Sequence, residues 1–339
     1  MKKQFLLYTG LTVVVTLNSC SNKSTKNEQE KAVYVLYDST QVVQTGGVKM
    51  ITIETPKGKF KVWTKRIGNN PTTKILLLNG GPGCTHEYFE CLESFLPKEG
   101  IEFIYYDQLA CGNSDNPKDT SLFNLSRYVE EVEQLRMALN LDKNNFYLLG
   151  HSWGGILAMQ YALKYQVNLK GLIISNMMAS CPKYGKYADD ILAKQMDANV
   201  LDTIRAIEKQ GDFKNPQYMQ LLQTNYYAKH ICRLPEYPEP VSRSFNKMNN
   251  DLYTIMQGPS EFGISGKLTN WDVSNQLKNI NVPTLVIGAT YDTMDPKYME
   301  WMSKEIPGAK FLLCTNGSHM CMYDDQQTYM NGLIKFLKN

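Results

Sequence analysis

The sequence predicts an α/β fold in which a mostly parallel sheet is interrupted by an inserted helical segment. Short apolar runs alternate with longer amphipathic stretches along most of the chain, as they do where buried strands alternate with helices. A glycine-rich junction at residues 150–155 follows one such run and precedes a helical pattern. Between Met178 and Gly263 the short apolar runs typical of strands no longer recur, and the composition is that of helices joined by loops.

These patterns divide the chain of 339 residues into five segments. A chain of this length can bury one large core and still carry a lid. We expect a signal peptide over residues 1–19, a polar tether over 20–45, the first part of the core over 46–177, a helical lid over 178–263, and the second part of the core over 264–339.

The N-terminal segment predicts export. Lys2 and Lys3 precede an apolar stretch over residues 5–17 that is too short for a stable transmembrane helix. The segment ends at Cys20 and resembles a bacterial lipoprotein signal, in which the cysteine is lipidated after cleavage. Residues 21–31 are polar and rich in lysine and glutamate, which suits a flexible tether. We therefore expect a lipid anchor to a membrane surface on the periplasmic or outer-membrane side of a bacterium. The alternative is an ordinary cleaved signal with an incidental cysteine.

Eight segments have the pattern of strands. The first two predict a hairpin around residues 56–59, and the others predict buried strands of the parallel sheet. In chain order they cover residues 49–54, 60–65, 74–78, 102–106, 145–149, 172–175, 284–287 and 310–313. Residues 127–139 place apolar side chains on one face, which predicts a helix.

Residues 150–154 read G-H-S-W-G. Strand, G-x-S-x-G and helix in that order are the context of a nucleophile elbow, a turn so tight that its serine is strained. Gly150 and Gly154 are then required, because a side chain at either position would collide with the neighbouring strand or helix. Ser152 is the predicted nucleophile, with its hydroxyl above the sheet at the positive end of the following helix.

A serine hydroxyl needs a base, and in this architecture an acid and then a histidine follow the serine. The chain has four histidines. His86 and His151 come too early, and His230 lies in the predicted lid. His319, just after the apolar run 310–314, is therefore the predicted base.

Two aspartates, Asp292 and Asp295, lie on the loop after the next-to-last predicted strand. Asp295 precedes Pro296 and is expected to cap a helix over residues 297–305. Asp292 is therefore the predicted acid, which would fix the tautomer of the histidine and stabilise its imidazolium form.

An oxyanion needs backbone N–H donors. One is expected from Trp153, which follows the nucleophile. The other is expected from residues 79–83, N-G-G-P-G, which follow the predicted strand 74–78. Glycines let the backbone approach a substrate oxygen closely, and Pro82 stiffens the turn.

Three segments together resemble the proline iminopeptidases, peptidase family S33 of the α/β-hydrolase superfamily. Residues 79–83 resemble the family's H-G-G-P-G, residues 107–114 (D-Q-L-A-C-G-N-S) its D-Q-x-G-x-G-x-S, and residues 150–155 (G-H-S-W-G-G) its G-x-S-W-G-G. The resemblance runs from about residue 51 to residue 338 and implies an α/β-hydrolase fold with an inserted helical lid.

The resemblance also implies a catalytic set. The oxyanion N–H groups come from Gly81 and Trp153, and the triad is Ser152, Asp292 and His319. The chain departs from the family pattern at Asn79, where a histidine is usual, and at Ala110, where a glycine is usual. Asn79 affects the hydrogen bonding behind the oxyanion loop but removes no backbone donor, so catalysis is expected to survive this departure.

The same resemblance gives a role to residues 256–262, M-Q-G-P-S-E-F. The family has a G-P-x-E-F segment whose glutamate binds the free α-amine of an N-terminal proline, which implies Glu261 here. Tyr253 matches a family tyrosine that lines the same pocket. Some members have a second acid after the triad aspartate, where this chain has Thr293, so the amine site would carry less negative charge. From the residues alone, Glu261 reads as a solvated loop glutamate.

The composition excludes some partners and leaves others open. The formal net charge of +3 is too small to indicate nucleic acid as a partner. Besides Cys20 the chain has seven cysteines, whose spacings match no zinc site, so no metal or cofactor is expected. A bridge between Cys181 and Cys232 stays open.

The sequence thus predicts a serine exopeptidase that releases N-terminal proline from short peptides through a prolyl-enzyme ester. A broader aminopeptidase or an esterase of the same fold is the first alternative. An alternative from another class is a surface lipoprotein that binds peptides without turnover, and the intact set of triad residues argues against it.

Overall fold

The structure, a computed structural model, describes residues 43–44 and 47–339. The predicted signal peptide and Cys20 lie outside the described residues, and so does the predicted tether except for Val43–Gln44.

One mixed sheet holds nine strands. They are β1 (Val43–Gln44), β2 (Val48–Thr55), β3 (Gly58–Ile67), β4 (Lys74–Leu78), β5 (Glu102–Asp107), β6 (Phe146–His151), β7 (Gly171–Ser175), β8 (Thr284–Ala289) and β9 (Lys310–Cys314). Their order across the sheet is β1-β2-β3-β5-β4-β6-β7-β8-β9. Pairing is antiparallel from β1 to β5 and parallel from β5 to β9, so the mostly parallel sheet of the α/β prediction is confirmed.

All eight predicted strands are present, and their ends differ from the predicted ones by at most two residues. Every residue of β4, β5, β6, β7 and β8 is buried, as expected where helices cover both faces of a parallel sheet. The hairpin between β2 and β3 is tighter than predicted. Thr55 pairs with Gly58, so residues 56–57 alone form the turn.

The described residues form eleven α-helices around this sheet. They are α1 (Leu125–Ala138), α2 (Trp153–Tyr165), α3 (Cys181–Tyr187), α4 (Ala198–Gln210), α5 (Pro216–Leu222), α6 (Ala228–His230), α7 (Glu239–Asn246), α8 (Asn250–Met256), α9 (Pro296–Glu305), α10 (Cys321–Asp324) and α11 (Gln326–Leu337). A 3₁₀ helix spans His86–Ser94. Helix α9 begins at Pro296, one residue before the predicted start, and Asp295 caps it as predicted, because its side chain accepts a hydrogen bond from the backbone N–H of Lys297.

The helices α3 to α8 all lie between β7 and β8, within the range predicted for the lid. Helices α4 and α5 contribute to a separate cluster of buried side chains, which includes Ile204, Tyr218, Leu222, Tyr226 and Phe262. Two larger clusters flank the sheet. One contains the inner faces of α1, α2 and α9, and the other contains the inner faces of α11 and the 3₁₀ helix. Buried side chains of α3 and α8 belong to the first of these two clusters, and Val241 of α7 belongs to the second. The helical insertion is therefore packed into the two-sided core and also has a cluster of its own.

Within the residues that the structure describes, no helix is both long and apolar enough to cross a membrane. That part of the chain also holds no cluster of three or more His, Cys, Asp or Glu side chains arranged to bind a metal ion. The seven cysteines in it are all free, so Cys181 and Cys232 are not bridged.

Candidate active site

Ser152 forms the turn between β6 and α2, with φ 56° and ψ −126°. Positive φ is strained for a residue with a side chain, so the predicted strain at this serine is confirmed. A Cβ atom on Gly150 would overlap the carbonyl oxygen of Gly154, and one on Gly154 would overlap the carbonyl oxygen of Leu78. The turn therefore requires glycine on both sides of the serine, as the sequence predicts.

Ser152 opens onto a cavity of about 340 Å³ whose walls come from both the sheet side and the helical insertion. Five residues of the predicted site line this cavity: Gly81, Ser152, Tyr253, Glu261 and His319. Much of the remaining wall is apolar, including Met219, Ile231, Phe245, Met248 and Met320. Two further predicted residues lie behind the wall. Asp292 is fully buried behind His319, and the Trp153 indole packs into the core.

His319 and Asp292 are hydrogen-bonded partners. The Nδ1 atom of His319 lies 2.7 Å from the Oδ1 atom of Asp292. Strands β8 and β9 are parallel neighbours, so the loops that follow them, which carry these two residues, meet at one edge of the sheet. Because Nδ1 faces a carboxylate, it carries the proton, and Nε2 is left as the basic nitrogen.

Asn176 holds the carboxylate of Asp292 from the other side. Its Nδ2 donates to Oδ2 of Asp292 at 2.7 Å, and the backbone N–H of Met294 donates to Oδ1 at 3.2 Å. Asn176 directly follows β7 and is not predicted from the sequence. The sequence marks Asn176 only by its position, because it is a polar residue at the carboxyl end of a buried parallel strand. Other residues of the site have the same position on their own strands.

The environment of His319 favours its charged form. Burial opposes protonation, but the carboxylates around the ring, Asp292 foremost, together raise the pKa of His319 above its ordinary value of 6.5. Glu261, on the same cavity, raises this pKa further. The imidazole is therefore a stronger base than a free histidine.

The loop of residues 79–83, which we call the oxyanion loop, presents a free donor to the cavity. The N–H of Gly80 donates to the Tyr88 hydroxyl at 2.5 Å, whereas within residues 47–339 no protein acceptor is bonded to the N–H of Gly81. Trp153 is the first residue of α2, where a backbone N–H has no partner in its own helix. Both N–H groups are thus available to a substrate oxygen.

The side chain of Gln108 connects the oxyanion loop to helix α2 by two hydrogen bonds. Its Oε1 accepts from the indole Nε1 of Trp153 at 2.8 Å, and its Nε2 donates to the carbonyl oxygen of Asn79 at 3.0 Å. The side chain of Asn79 in turn donates to the carbonyl oxygen of Cys84. Asn79, which stands where the family has histidine, therefore closes the loop on itself.

Ala110, the second departure from the family pattern, has φ 72°. Only glycine adopts such angles without strain, which explains why a glycine is usual there. The left-handed conformation costs an alanine about 1–2 kcal/mol. Two hydrogen bonds hold it in place, from its own N–H to the carbonyl oxygen of Asp115 at 2.9 Å and from Asn249 Nδ2 to its carbonyl oxygen at 2.9 Å.

Three tyrosines fix Glu261 in the cavity wall. The Tyr253 hydroxyl donates to Oε1 of Glu261 at 2.6 Å, and the Tyr227 hydroxyl accepts from its backbone N–H at 3.0 Å. The Tyr184 hydroxyl donates to its carbonyl oxygen at 2.6 Å. Burial raises the pKa of Glu261 above its ordinary value. Tyr184 and Tyr227 are not predicted from the sequence, in which they are two among several lid tyrosines.

Thr293 lies beside the hydrogen-bonded pair, not in the cavity wall. Its hydroxyl is 3.3 Å from Oδ1 of Asp292 and 3.3 Å from Nδ1 of His319, and its side chain is fully buried. Glu261 is therefore the one carboxylate among the described residues that line the cavity.

Tyr88 and His151 also line the cavity, although no motif in the sequence assigns them a role there. Burial, with a smaller contribution from His319, lowers the pKa of His151 to about 3. The His151 imidazole is therefore neutral near pH 7.

Comparison with known proteins gives a consistent result. A family model described as alpha/beta hydrolase fold matches residues 74–326. The chain is 59% identical to a proline iminopeptidase of Flavobacterium johnsoniae over 86% of its own length and 98% of that protein. It is 56% identical to a proline iminopeptidase of Chitinophaga pinensis over 85% of its length and 97% of that protein.

Two solved structures are similar to this one. The crystal structure of VinJ superposes with a TM-score of 0.79 and 26% identity, over 85% of this chain and 98% of that chain. The proline iminopeptidase of Mycobacterium smegmatis superposes with a TM-score of 0.76 and 27% identity, over 86% of this chain and 98% of that chain.

Proposed function

This chain belongs to the proline iminopeptidase family of α/β hydrolases, and from that premise we propose that it releases N-terminal proline from short peptides by a serine mechanism. Ser152 is the nucleophile, His319 the general base and acid, and Asp292 its partner. The reaction passes through an ester between the prolyl group and Ser152.

The observation that supports this proposal most is the single cavity onto which Ser152, Glu261 and His319 all open. It combines a strained serine, a basic imidazole and one carboxylate within a largely apolar wall. An N-terminal proline offers a matching set of groups, because its cationic amine and its scissile carbonyl are attached to the same α-carbon and its ring is apolar.

In the first half of the reaction, His319 Nε2 takes the hydroxyl proton of Ser152 as the serine oxygen attacks the proline carbonyl carbon. The N–H groups of Gly81 and Trp153 bind the oxygen that becomes negative. Asp292 keeps Nδ1 protonated and stabilises the imidazolium that forms.

In the second half, His319 returns that proton to the nitrogen of the leaving peptide, and the carbon–nitrogen bond breaks. A water molecule then gives a proton to His319 and attacks the ester carbonyl. The ester bond to Ser152 breaks, the serine recovers its proton, and proline leaves.

Glu261 would bind the protonated α-amine of the substrate. The bond that it accepts from Tyr253 orients the carboxylate, and the raised pKa of Glu261 reflects the penalty of a buried charge without a cationic partner. A substrate ammonium group supplies that partner, in a charge-assisted hydrogen bond. The arrangement favours a free N-terminus and disfavours an acylated one.

Ser152→Ala tests the nucleophile. The variant should keep the fold and lose about 10⁴-fold or more in kcat, because the remaining groups cannot form the ester. Activity is measured on proline 2-naphthylamide, folding by circular dichroism, and the nucleophile by labelling with a fluorophosphonate probe. A folded Ser152→Ala protein with ordinary turnover would contradict the mechanism.

A substrate panel tests the specificity and separates the alternatives. Proline 2-naphthylamide should be cleaved faster than alanine 2-naphthylamide, and N-acetylproline naphthylamide should resist cleavage. Equal rates for proline and alanine would favour a broader aminopeptidase, and turnover of phenyl acetate alone would favour an esterase. Peptide binding with no turnover and no fluorophosphonate labelling would favour a binding protein.

A further inference from the structure

Tyr88 and His151 connect the oxyanion loop to the loop of His319 by three consecutive hydrogen bonds. The N–H of Gly80 donates to the Tyr88 hydroxyl at 2.5 Å. The same hydroxyl lies 3.2 Å from Nδ1 of His151, and Nε2 of His151 lies 2.9 Å from the carbonyl oxygen of His319.

The chemistry of these groups allows only one direction for the proton donors. The carbonyl oxygen of His319 can only accept, so Nε2 of His151 carries the proton. Because this imidazole is neutral, its Nδ1 has no proton and accepts from the Tyr88 hydroxyl. That hydroxyl is then free to accept from the N–H of Gly80. Every donor in this series of three hydrogen bonds therefore has one acceptor.

The bonded chain is enclosed in the protein. Tyr88 is 1% exposed and His151 is 2% exposed. In such surroundings a donor that loses its acceptor is not compensated by water, so the bonds hold their partners firmly in place. The aromatic rings reinforce the contact, since the centroids of Tyr88 and His151 are 5.3 Å apart and those of His151 and His319 are 4.9 Å apart.

The two ends of this series of hydrogen bonds lie next to the proposed reacting groups. Gly80 directly precedes Gly81, which lines the cavity and is the proposed oxyanion donor, and His319 is the proposed base. In the middle, His151 directly precedes Ser152. A displacement at one end would therefore be transmitted to the other two elements of the site.

We propose that Tyr88 and His151 are positioning residues, which keep the oxyanion donor and the general base in register around the nucleophile. This inference rests on the proposed function, because it assigns roles relative to Ser152, Gly81 and His319. Neither side chain is required to touch the reacting atoms.

The test compares four variants with the wild-type chain: Tyr88→Phe, His151→Leu, His151→Gln and the double variant Tyr88→Phe/His151→Leu. Glutamine keeps one donor and one acceptor in place of the imidazole. Tyr105→Phe is the matched control, because its hydroxyl binds Glu93 on the same 3₁₀ helix at 2.9 Å but does not reach the cavity.

Tyr88→Phe and His151→Leu should each lower kcat by about 10- to 100-fold, since a misplacement of about 1 Å in the reacting groups costs up to about 100-fold. KM should change by less than about threefold, because ground-state contacts remain. His151→Gln should recover most of the loss. The kcat of the double variant should be no lower than that of the less active single variant, because both changes break the same series of hydrogen bonds. Tyr105→Phe should match the wild type.

A second measurement separates positioning from general stability. Prolinal, the aldehyde of proline, forms a tetrahedral adduct with the serine, whereas the product proline binds without one. Tyr88→Phe should weaken inhibition by prolinal in parallel with kcat and leave inhibition by proline unchanged. Three results would overturn the proposal. The first is a loss in the double variant that equals the product of the two single losses. The second is a kcat within about twofold of the wild type in both single variants, and the third is an equal weakening of inhibition by prolinal and by proline.

Each rate is measured on both proline 2-naphthylamide and phenyl acetate. If the wild type hydrolyses the ester but not the amide, the proposed peptidase function fails. The same pattern of losses on the ester would still support the positioning roles.

Discussion

Among the carboxylates that raise the pKa of His319, Asp292 and Glu261 contribute more than Asp324. Asp292 binds Nδ1 of His319 at 2.7 Å, and Glu261 lies on the same cavity. Both raise the pKa of His319 against the opposing effect of burial. The basicity of the proposed general base therefore depends on a residue that is itself proposed to bind substrate.

This dependence predicts the acidic limb of the pH profile. His319 must be neutral to act as a base, so kcat/KM should fall as the pH drops through its pKa in the free enzyme, and the midpoint should lie above 6.5. Glu261→Gln removes one of the negative charges that raise the pKa of His319. The midpoint of the acidic limb, measured on phenyl acetate, should therefore move to lower pH. An unchanged midpoint in Glu261→Gln would show that the two groups are not coupled.

Glu261→Gln should also separate amides from esters. A charge-assisted hydrogen bond contributes about 1.5–3 kcal/mol, which corresponds to about a 10- to 150-fold loss in kcat/KM on proline 2-naphthylamide. Phenyl acetate has no amine, so its kcat/KM on the plateau above the acidic limb should hardly change. No other carboxylate of the described chain lines the cavity, so the loss should not be rescued by a neighbour.

The matched control for this change is Glu236→Gln, which alters an exposed glutamate of the same helical insertion. It should leave both substrates unaffected. Equal losses of Glu261→Gln on the amide and the ester would mean that Glu261 supports the structure instead of binding the amine.

Single residues were predictable where a local rule applied. The strain at Ser152, the glycine at 150 and the cap at Asp295 all follow from neighbours in the sequence. Asn176 was not predictable, because its partner Asp292 is 116 residues away and only the sheet brings them together. The same holds for Tyr88, whose hydroxyl reaches His151 across 63 residues.

At the scale of elements, the junction of β6 with α2 depends on how closely α2 approaches β4. A Cβ on Gly154 would overlap the carbonyl oxygen of Leu78, which is backbone and cannot turn aside. Gly154→Ala should therefore destabilise the protein by at least about 2 kcal/mol and displace Ser152, with a loss of esterase and amidase activity together. Urea unfolding and rates on both substrates measure the two effects.

Gly185→Ala is the matched control for that change. Gly185 lies inside α3, and nothing approaches within 4 Å of a Cβ built there. Alanine should stabilise this helix by about 0.5–1 kcal/mol, because glycine loses more backbone entropy on folding. If Gly154→Ala were as stable as Gly185→Ala, the close approach of α2 to β4 would be wrong.

The helical insertion is bonded directly to the loop that carries His319. The backbone N–H of His319 donates to the carbonyl oxygen of His230 at 2.9 Å, and that of Met320 donates to the carbonyl oxygen of Ile231 at 2.8 Å. The hydroxyl of Ser318 donates to the same Ile231 oxygen at 3.0 Å. The insertion thus supports the proposed base besides forming the cavity wall.

Elements differed in how well the sequence predicts them. Apolar runs mark strands that are buried on both sides, so the bounds of β4 follow directly from the sequence. The 3₁₀ helix His86–Ser94 was not predicted from the sequence, and the hydrogen bond of its Tyr88 with the oxyanion loop joins parts of the fold that no local pattern marks. The contacts of His230 with the His319 loop are made by backbone atoms, which leave no trace in residue types.

At the scale of the whole molecule, the order of the strands places the predicted site. Loops after β4, β6, β8 and β9 end at the same edge of the sheet, and the insertion between β7 and β8 covers that edge. The sequence predicts the alternation of strands and helices and the place of the insertion. It does not predict which insertion residues face the cavity, because that depends on how several short helices pack together.

The location of the molecule is the last prediction, and it depends on residues 1–20. Two lysines, a short apolar stretch and Cys20 predict export and lipidation, and the polar residues after Cys20 would let the folded part stand away from the membrane. The wild-type protein made in a bacterium should therefore partition with the membrane fraction and carry an acyl group detectable by mass spectrometry. Cys20→Ser should abolish acylation and give either released protein or an unprocessed precursor.

The released form of Cys20→Ser should keep the kcat/KM of the wild type on proline 2-naphthylamide, because every residue of the proposed site lies between positions 79 and 319. Cys91→Ser is the matched control, since Cys91 is a free cysteine far along the chain from the signal, and it should fractionate with the membrane as the wild type does. A wild-type protein found wholly in the soluble fraction without an acyl group would contradict the anchor and leave an ordinary cleaved signal as the explanation for the apolar stretch.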